Sequence, residues 1–282
     1  MFKTGCLALL VSAALSSNSI AMSSTIDSQS NADVIAPILS SDHRRDENKA
    51  RDAFRHPQKI ISFYDIKPTD TVLEVWPGNG WYSEILGPYL KENGQLVAAT
   101  FGIHNENSKD KRLAFWTKIA VEYREKMSDE ELYGEVIFTE FEPPERLDVA
   151  EVDSIDKALI IRSLHIWDEV GQMQQGLQSV FKALKPGGVL GVVQHRSTQI
   201  SDFASSAPEG YLVENYVIQA AENAGFELVA SSDINSNPND TKDYPKGVYT
   251  LPPTLAMGAL DQDKYIAIGE SDRMTLKFVK PK

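Results

Sequence analysis

Apolar runs alternate with amphipathic segments along most of the chain, and this alternation predicts strands separated by helices. The predicted strands cover residues 71–76, 95–101, 135–141, 157–163, 189–194, 226–230 and 273–279. The fourth and fifth are almost continuously apolar, which is typical of strands buried on both faces of a parallel sheet. Helices are predicted over residues 81–91, 107–126, 169–184 and 212–224.

This order predicts an α/β fold, a Rossmann-like doubly wound sheet of about seven strands. No helix separates the last two predicted strands, so they could pair as an antiparallel hairpin at the sheet edge, with the long loop 231–263 over one end. The charged segment 42–65, interrupted by Pro57, precedes the first strand and predicts a helical cap. With no internal repeat and no second core, residues 42–282 form one predicted domain.

The N-terminus has the pattern of a signal peptide. Lys3 precedes an apolar run of about ten residues, and Ser19-Ile20-Ala21 is a small-x-small cleavage pattern. We therefore expect residues 1–21 to be removed on export, to the periplasm, and residues 22–41 to be a flexible spacer. The apolar run is about half of the ~20 residues that a membrane span needs, so no span is expected in the mature protein.

Charge and cysteine content exclude several classes of function. The net charge of −12 disfavours nucleic acid and anionic membranes as partners. Cys6 is the only cysteine and lies in the predicted signal peptide, which excludes a thiol nucleophile and a cysteine metal site from the mature protein. The oxygen-rich residues of the loop 231–263 lack the spacing of a calcium loop, so no metal is predicted.

A glycine turn follows the first predicted strand, in the stretch LEVWPGNG at residues 73–80. Gly78 and Gly80, between a strand and a helix, let the backbone approach a ligand and aim helix N–H groups at it. Tight strand-to-helix turns need glycine in any case, so the turn alone is weak evidence for a cofactor site.

The turn resembles motif I of class I S-adenosylmethionine (SAM)-dependent methyltransferases, one form of which is E-h-G-P-G-x-G. The chain matches this pattern at Glu74, Pro77, Gly78 and Gly80, and it departs from it at Trp76. Further similarity lies in LKPGG at 184–188, AGF at 224–226, RSLHIW at 162–167 and the closing strand. More narrowly, the chain resembles a family of exported bacterial proteins that are predicted methyltransferases.

The resemblance spans residues 60–280 and implies the fold with its closing antiparallel strand, SAM as cofactor and methyl transfer as the reaction. The cofactor contacts it implies are Glu74, Trp76, Pro77, Gly78, Gly80, Thr100, Phe101 and Ser163. The family usually presents an acidic residue to the ribose at the end of the second strand, where this chain has Thr100, a weaker acceptor. Ribose recognition would then be lost, altered or moved to Glu74 or a loop residue.

Two histidines, His165 and His195, fall at the ends of the fourth and fifth strands. Each could act as a general base for methyl transfer or be held by loop backbone. Arg162 and Arg196 beside them could bind a substrate carboxylate or phosphate, or neutralise neighbouring acids. The other candidate substrate contacts are Tyr82, which could instead be packing, and Asp272 and Arg273, which could instead pin a loop.

Three functions remain open. The first is a SAM-dependent methyltransferase acting on a small molecule, although an exported enzyme would need SAM from the cytoplasm. The second is a non-catalytic or repurposed methyltransferase-like protein that binds another ligand in the cell envelope, which Trp76, Thr100 and the signal peptide favour. The third, a nucleotide-dependent oxidoreductase, is disfavoured because the full glycine pattern and the ribose acid are both absent.

Overall fold

The structure, a computed structural model, describes Met1 and residues 33–104, 108–198 and 207–282. The predicted signal peptide after Met1, and the predicted spacer as far as residue 32, lie outside the described residues. The strands are β1 (Thr71–Val75), β2 (Gln95–Thr100), β3 (Val136–Glu140), β4 (Ile155–Ile161), β5 (Leu184–His195), β6 (Glu227–Ser232) and β7 (Arg273–Val279).

The helices in chain order are α1 (33–40), α2 (Asp46–Ala50), α3 (Asp52–Arg55), α4 (Pro57–Phe63), α5 (Ser83–Leu90), α6 (Lys111–Lys126), α7 (Glu130–Tyr133), α8 (Leu164–Glu169), α9 (Met173–Ala183), α10 (Glu214–Asn223) and α11 (Gln262–Ile268). Short 3-10 helices cover Ala207–Glu209 and Gly247–Thr250. The predicted alternation of strands and helices is confirmed.

The seven strands form one sheet in the order β3-β2-β1-β4-β5-β7-β6. Strands β1 to β5 run parallel, and β7 runs antiparallel to both of its neighbours. Alternate residues of the central strands enter different cores, as Leu73 and Val75 of β1 do on one face and Val72 does on the other. The strand order reverses between β1 and β4, which makes their carboxyl ends the switch point where ligands of such sheets bind.

The prediction that the last two strands pair antiparallel at the sheet edge is confirmed. The later strand, β7, lies between β5 and β6, so β6 is the outermost strand. Met274, Leu276 and Phe278 of β7 are fully buried, whereas most of β6 is exposed. Burial on both faces therefore places β7 inside and leaves β6 as the edge.

Two predicted helices differ from the structure. The helix predicted over 169–184 corresponds to α9 and begins later, at Met173. Gly171, with a φ of 72°, separates it from α8, a helix over Leu164–Glu169 that was not predicted. The helix predicted from residue 107 begins at Lys111, where the side chain of Asp110 accepts hydrogen bonds from the N–H groups of Arg112 and Leu113. An aspartate that caps the helix in this way fixes its start.

The N-terminal cap packs against α5. Arg44 forms a bidentate ion pair with Asp52 at 2.7 and 2.8 Å, and Asn48 donates to the buried carboxylate of Glu84 at 2.8 and 3.0 Å. The predicted spacer is corrected at its end, since residues 33–40 are helical and Ile35 is fully buried in the core. Among the described residues, none of the helices has the length and apolar character needed to cross a membrane.

Candidate functional site

The motif I turn, residues 76–80, joins β1 to α5 and contains three residues with left-handed backbone. Trp76, Gly78 and Gly80 have φ values of 50°, 60° and 77°. Glycine adopts this conformation freely, but a residue with a side chain is destabilised there by about 1–2 kcal/mol. Trp76 stands where the family pattern has its first glycine, so the backbone keeps the glycine conformation despite the tryptophan side chain.

Gly80 is a testable part of this turn. A methyl group on its Cα would lie 2.9 Å from the ring of Tyr123, whereas one on Gly78 would meet nothing within 4 Å. Gly78→Ala is the matched control, because both substitutions place a side chain on a left-handed backbone. We expect the free energy of unfolding to fall by about 1 kcal/mol or more in Gly80→Ala beyond the fall in Gly78→Ala. Urea denaturation of the two variants measures the difference; equal losses would contradict close packing of Tyr123 on the turn.

The Trp76 side chain crosses the carboxyl ends of the central strands. Its ring centroid is 5.8 Å from that of Phe101 after β2, 5.8 Å from Trp116 on α6 and 5.5 Å from Trp167 on α8. Its Nε1 donates a 2.8 Å hydrogen bond to the carbonyl of Phe141, just after β3. The indole therefore lies at the switch point, held by segments that follow β2, β3 and β4.

Little space remains between the motif I turn and the end of β2. The cavity there has a volume of about 10 Å³, enough for about one water molecule, whereas small-molecule pockets usually have about 300–1,000 Å³. It is lined by Trp76, Pro77, Gly78, Thr100, Phe101, Trp116, Ile119, Ala120 and Tyr123. An adenosyl group does not fit this cavity with the side chains in these positions.

The polar residues expected to hold the cofactor are engaged within the protein. Glu74 is buried and accepts a 2.5 Å hydrogen bond from Ser83 Oγ, and burial raises the pKa of its carboxyl to about 7. The Thr100 hydroxyl donates to the Thr139 carbonyl at 3.1 Å and accepts from Arg124 at 2.8 Å. Both acceptors therefore already have partners from neighbouring elements.

Ser163, the last implied cofactor contact, precedes α8 and donates a 3.3 Å hydrogen bond to the Ile161 carbonyl. Trp76 and Phe101 fill the space of the implied cradle, and the hydroxyl and carboxyl groups expected to line it have protein partners. In this conformation the described residues do not fit SAM at that position.

The structure brings His165 and His195 together, with ring centroids 5.7 Å apart. Nε2 of His165 lies 3.2 Å from the Tyr249 hydroxyl, and Nδ1 of His195 lies 2.5 Å from the Ser271 hydroxyl. Burial lowers the pKa of His165 to about 4 and holds that of His195 well below its usual value. Both imidazoles are therefore neutral near pH 7, so they form hydrogen bonds but are weak proton acceptors.

Four arginines interact electrostatically beside these histidines, and we call them the arginine cluster: Arg51, Arg55, Arg162 and Arg273. Arg162 and Arg273 are candidate substrate contacts from the sequence. Arg51 and Arg55 were not predicted, although their i, i+4 spacing in a charged helical segment is a signal that places both on one helix face.

The arginine cluster surrounds the buried carboxylate of Glu270. That carboxylate accepts from Arg51 Nε at 2.7 Å, from Arg55 Nε at 3.1 and 3.2 Å, and from Arg273 Nη1 at 2.7 Å. Burial by itself would raise the pKa of Glu270, but the attraction of the four guanidinium groups outweighs it and holds the pKa well below its usual range. Glu270 is therefore ionised and joins the cap to the start of β7.

Tyr82 lies beside the arginine cluster and packs on the N-terminal end of α5. It is buried, and its ring is 4.7 Å from that of Trp81 in an edge-to-face contact. Burial raises the pKa of its hydroxyl to about 12, so the hydroxyl is neutral. Trp81 itself packs against the cap, because its Nε1 donates to the Asn48 carbonyl at 3.0 Å and Arg55 lies over its ring at 4.7 Å.

Arg196 and Asp272, two further candidate substrate contacts, bind each other. Their side chains form hydrogen bonds of 3.0 and 3.1 Å, and Arg196 also donates to Glu214 at 3.2 Å and to Asp233 at 3.4 Å. Asp272 in addition pairs with Lys242 at 3.0 Å. These contacts engage the charged groups of both residues, so the structure does not support a substrate role for them.

No family model and no curated protein matches this sequence. Solved structures do match its fold. A SAM-dependent methyltransferase from Aquifex aeolicus aligns with a TM-score of 0.52 and 15% identity, over 90% of this chain and 98% of that one. The [4+2]-cyclase SpnF aligns with a TM-score of 0.56 and 16% identity, over 90% of this chain and 97% of that one.

A third neighbour is phosphoethanolamine N-methyltransferase 2 from Haemonchus contortus, solved in complex with SAM. It aligns with a TM-score of 0.52 and 15% identity, over 81% of this chain and 53% of that one. Identities this low establish fold rather than reaction, and one of the three neighbours is described as a cyclase. Together with the strand order and the antiparallel β7, these similarities show that the chain has the fold of class I SAM-dependent methyltransferases.

Proposed function

We propose that this chain is a repurposed methyltransferase-like protein that binds a small molecule at the carboxyl ends of β4 and β5 and the start of β7. The observation that carries the proposal is the position of the Trp76 indole. It fills the space between the motif I turn and the end of β2, leaving a cavity of about 10 Å³, and it is hydrogen-bonded in place.

The proposed site is built from His165, His195, Arg162, Arg273 and Tyr82. Both ring nitrogens of His165 have protein partners, Tyr249 at Nε2 and Gln194 at Nδ1. The Ser271 hydroxyl holds Nδ1 of His195 and so fixes the direction in which its Nε2 points. A pKa of about 4 for His165 favours a role in binding over one in proton abstraction at neutral pH.

Export, which the sequence predicts, would be consistent with the same proposal. A signal peptide over residues 1–21, proposed from sequence, would carry the protein away from the cytoplasm, where SAM is made. A protein that works outside the cytoplasm without SAM needs no external supply of that cofactor.

A SAM-dependent methyltransferase is the second candidate. It is favoured by the match of Glu74, Pro77, Gly78 and Gly80 to motif I and by the open space beside Gly78, where an added methyl group would meet nothing within 4 Å. Two methyltransferase structures share the fold, one of them with SAM bound. This function requires the aromatic side chains around Trp76 to move.

Calorimetric titration of the protein with SAM and with S-adenosylhomocysteine distinguishes the two candidates. We expect no saturable heat and no rise in melting temperature with either compound up to about 1 mM. A dissociation constant above about 1 mM corresponds to a binding free energy weaker than about −4 kcal/mol. A class I methyltransferase titrated in parallel is the positive control. Saturable binding of either compound by the parent protein in the micromolar range would overturn the proposal in favour of the second candidate.

A further inference from the structure

The arginine cluster holds more positive charge than the described residues balance. Within the described ranges, four guanidinium groups face one hydrogen-bonded carboxylate, that of Glu270, which leaves three positive charges in excess there. The neighbouring histidines add none because they are neutral. A buried group of like charges is destabilising unless counter-charges accompany it.

Each member of the cluster also has an unused hydrogen-bond donor. The buried nitrogens without a partner among the described residues are Nη2 of Arg51, Nη2 of Arg55, Nε of Arg162 and Nε of Arg273. Arg55 and Arg273 are each 97% buried, at 3% exposure, so solvent does not readily replace the missing partner. A buried charged donor without an acceptor is a strong indication of a ligand absent from the chain itself.

Burial and mutual repulsion support this interpretation. Burial, followed by the charge of Arg55, lowers the pKa of Arg51 and of Arg162. For Arg273 burial is again the largest cause, and Glu270 offsets it only in part. An anion inside the cluster would relieve the repulsion and accept from the unused donors at once.

A cavity lies beside the arginine cluster, and the buried position of the cluster favours a small molecule over nucleic acid as the ligand. A cavity of about 210 Å³ borders Glu270 and Arg273 on the side of Phe54 and Asn235, the volume of several water molecules at about 30 Å³ each. Of the four arginines, Arg273 is the one that lines it. The site is buried in a protein of net charge −12, which disfavours nucleic acid. The ligand chemistry is therefore that of a small molecule.

We infer that the arginine cluster binds a dianionic oxyanion, the phosphate or phosphonate group of a small molecule, with Arg162 as a main contact. Guanidinium groups bind such oxygens in pairs. A dianion neutralises two of the three excess charges, whereas a carboxylate neutralises one. The inference deepens the proposed function, because it gives the chemical class of ligand for the site at the carboxyl ends of β4 and β5 and the start of β7.

Titration with inorganic phosphate and with phenyl phosphate, at constant ionic strength set with chloride, tests the inference. We expect saturable binding of at least one of them, and binding of benzoate weaker by about tenfold or more. Tighter binding of phenyl phosphate would identify an organic phosphate as the ligand, and equal binding would identify free phosphate. No saturable binding of either phosphate, or benzoate binding as tight as theirs, would overturn the inference.

Arg162→Gln is the variant to compare, because Arg162 makes none of the hydrogen bonds that hold Glu270. We expect it to weaken phosphate binding by about tenfold or more. Arg146→Gln is the matched control, since it removes the same charge from an arginine paired with Glu140 and Glu142, and binding should stay within about twofold. If both variants bind phosphate equally weakly, the loss of affinity reflects the loss of one positive charge from the protein as a whole, and the assignment of the phosphate site to the arginine cluster is overturned.

Line broadening of the phosphorus-31 signal of phenyl phosphate by the parent protein tests the site without a substitution. We expect the parent protein to broaden this signal and inorganic phosphate to reverse the broadening by competition. If no such reversible broadening is seen, the inference is overturned, even if Arg162→Gln fails to fold. The two proposals can fail separately, because SAM carries no phosphate. Binding of SAM by the parent protein would overturn the proposed function. The phosphate titration would still decide whether the arginine cluster binds a phosphate.

Discussion

Replacing Glu270 with glutamine is expected to destabilise the protein by about 3–5 kcal/mol at pH 7, the usual consequence of removing one partner of a buried ion pair. The variant keeps the shape of the side chain but removes the carboxylate that binds Arg51, Arg55 and Arg273, of which Arg55 and Arg273 are buried. Glu270 joins Arg51 and Arg55 of the cap to Arg273 of β7, so the loss should also loosen the packing of the cap.

The effect of Glu270 should depend on pH in a defined direction. Its folded-state pKa lies well below the ordinary value of 4.5, so its contribution is fully present above about pH 4.5 and is lost as the pH falls toward the folded-state pKa. Each pH unit below about 4.5 removes about 1.4 kcal/mol of this contribution. At pH 3 the difference in unfolding free energy between the parent and Glu270→Gln should therefore be smaller by about 2 kcal/mol than at pH 7.

Urea denaturation of the parent and the variant at pH 7 and pH 3 measures both values. Glu92→Gln is the matched control, because Glu92 is exposed and, within the described ranges, pairs with Lys91 alone, at 3.6 Å. Its effect should be below about 0.5 kcal/mol. A loss below about 1 kcal/mol for Glu270→Gln at pH 7 would show that the cluster does not depend on this carboxylate.

Trp76→Gly is expected to create binding of SAM or S-adenosylhomocysteine that the parent lacks. The substitution restores the glycine of the family pattern at a position whose φ is already 50°, so the backbone needs no change. It also removes the indole that fills the space beside Gly78 and Phe101. We expect affinity to rise by about tenfold or more, which corresponds to about 1.4 kcal/mol or more.

The same substitution should lower stability. Removing a large aromatic side chain from a packed site costs about 3–5 kcal/mol, and relief of the left-handed conformation offsets about 1–2 kcal/mol of that loss. Thermal unfolding followed by circular dichroism measures the net change. A folded variant is expected, since domains of ordinary stability have about 5–15 kcal/mol in reserve.

Trp116→Ala is the matched control for the gain of binding. It removes an aromatic ring that contacts Trp76 at 5.8 Å but leaves the indole and its hydrogen bond to the Phe141 carbonyl in place. We expect no gain of SAM binding from it. A folded Trp76→Gly protein that binds SAM no better than the parent would contradict the interpretation that the indole closes the cradle.

Much of the sheet could be predicted from local patterns. The bounds predicted for β7, residues 273–279, agree with the structure, and those of β1, β2 and β3 differ by one residue or two at most. The alternation of apolar and polar residues in a strand depends on which of its faces are buried, so the strand can be recognised from its own sequence. The place of β7 between β5 and β6 could not be obtained this way, because it depends on pairing between strands far apart in the chain.

The candidate site was only partly predictable. His165, His195 and Arg162 follow from their positions at strand ends, because the carboxyl ends of parallel strands meet at one edge of the sheet. Arg51 and Arg55 could not be assigned to the site, since their common partner Glu270 is 219 and 215 residues away in sequence. Of the two roles left open for Arg196, the structure favours neutralising neighbouring acids, because Glu214, Asp233 and Asp272 pair with it.

By itself the sequence determined the strand and helix pattern, the methyltransferase-like turn at residues 73–80 and the departure from that pattern at Trp76. Tertiary structure alone decided where the indole points, because the Phe141 carbonyl, Trp116 and Trp167 that hold it come from three separate segments. It likewise decided that four arginines meet at one carboxylate. Local sequence encodes which face of an element is buried, whereas the balance of charge and space in a site is set only when distant segments pack together.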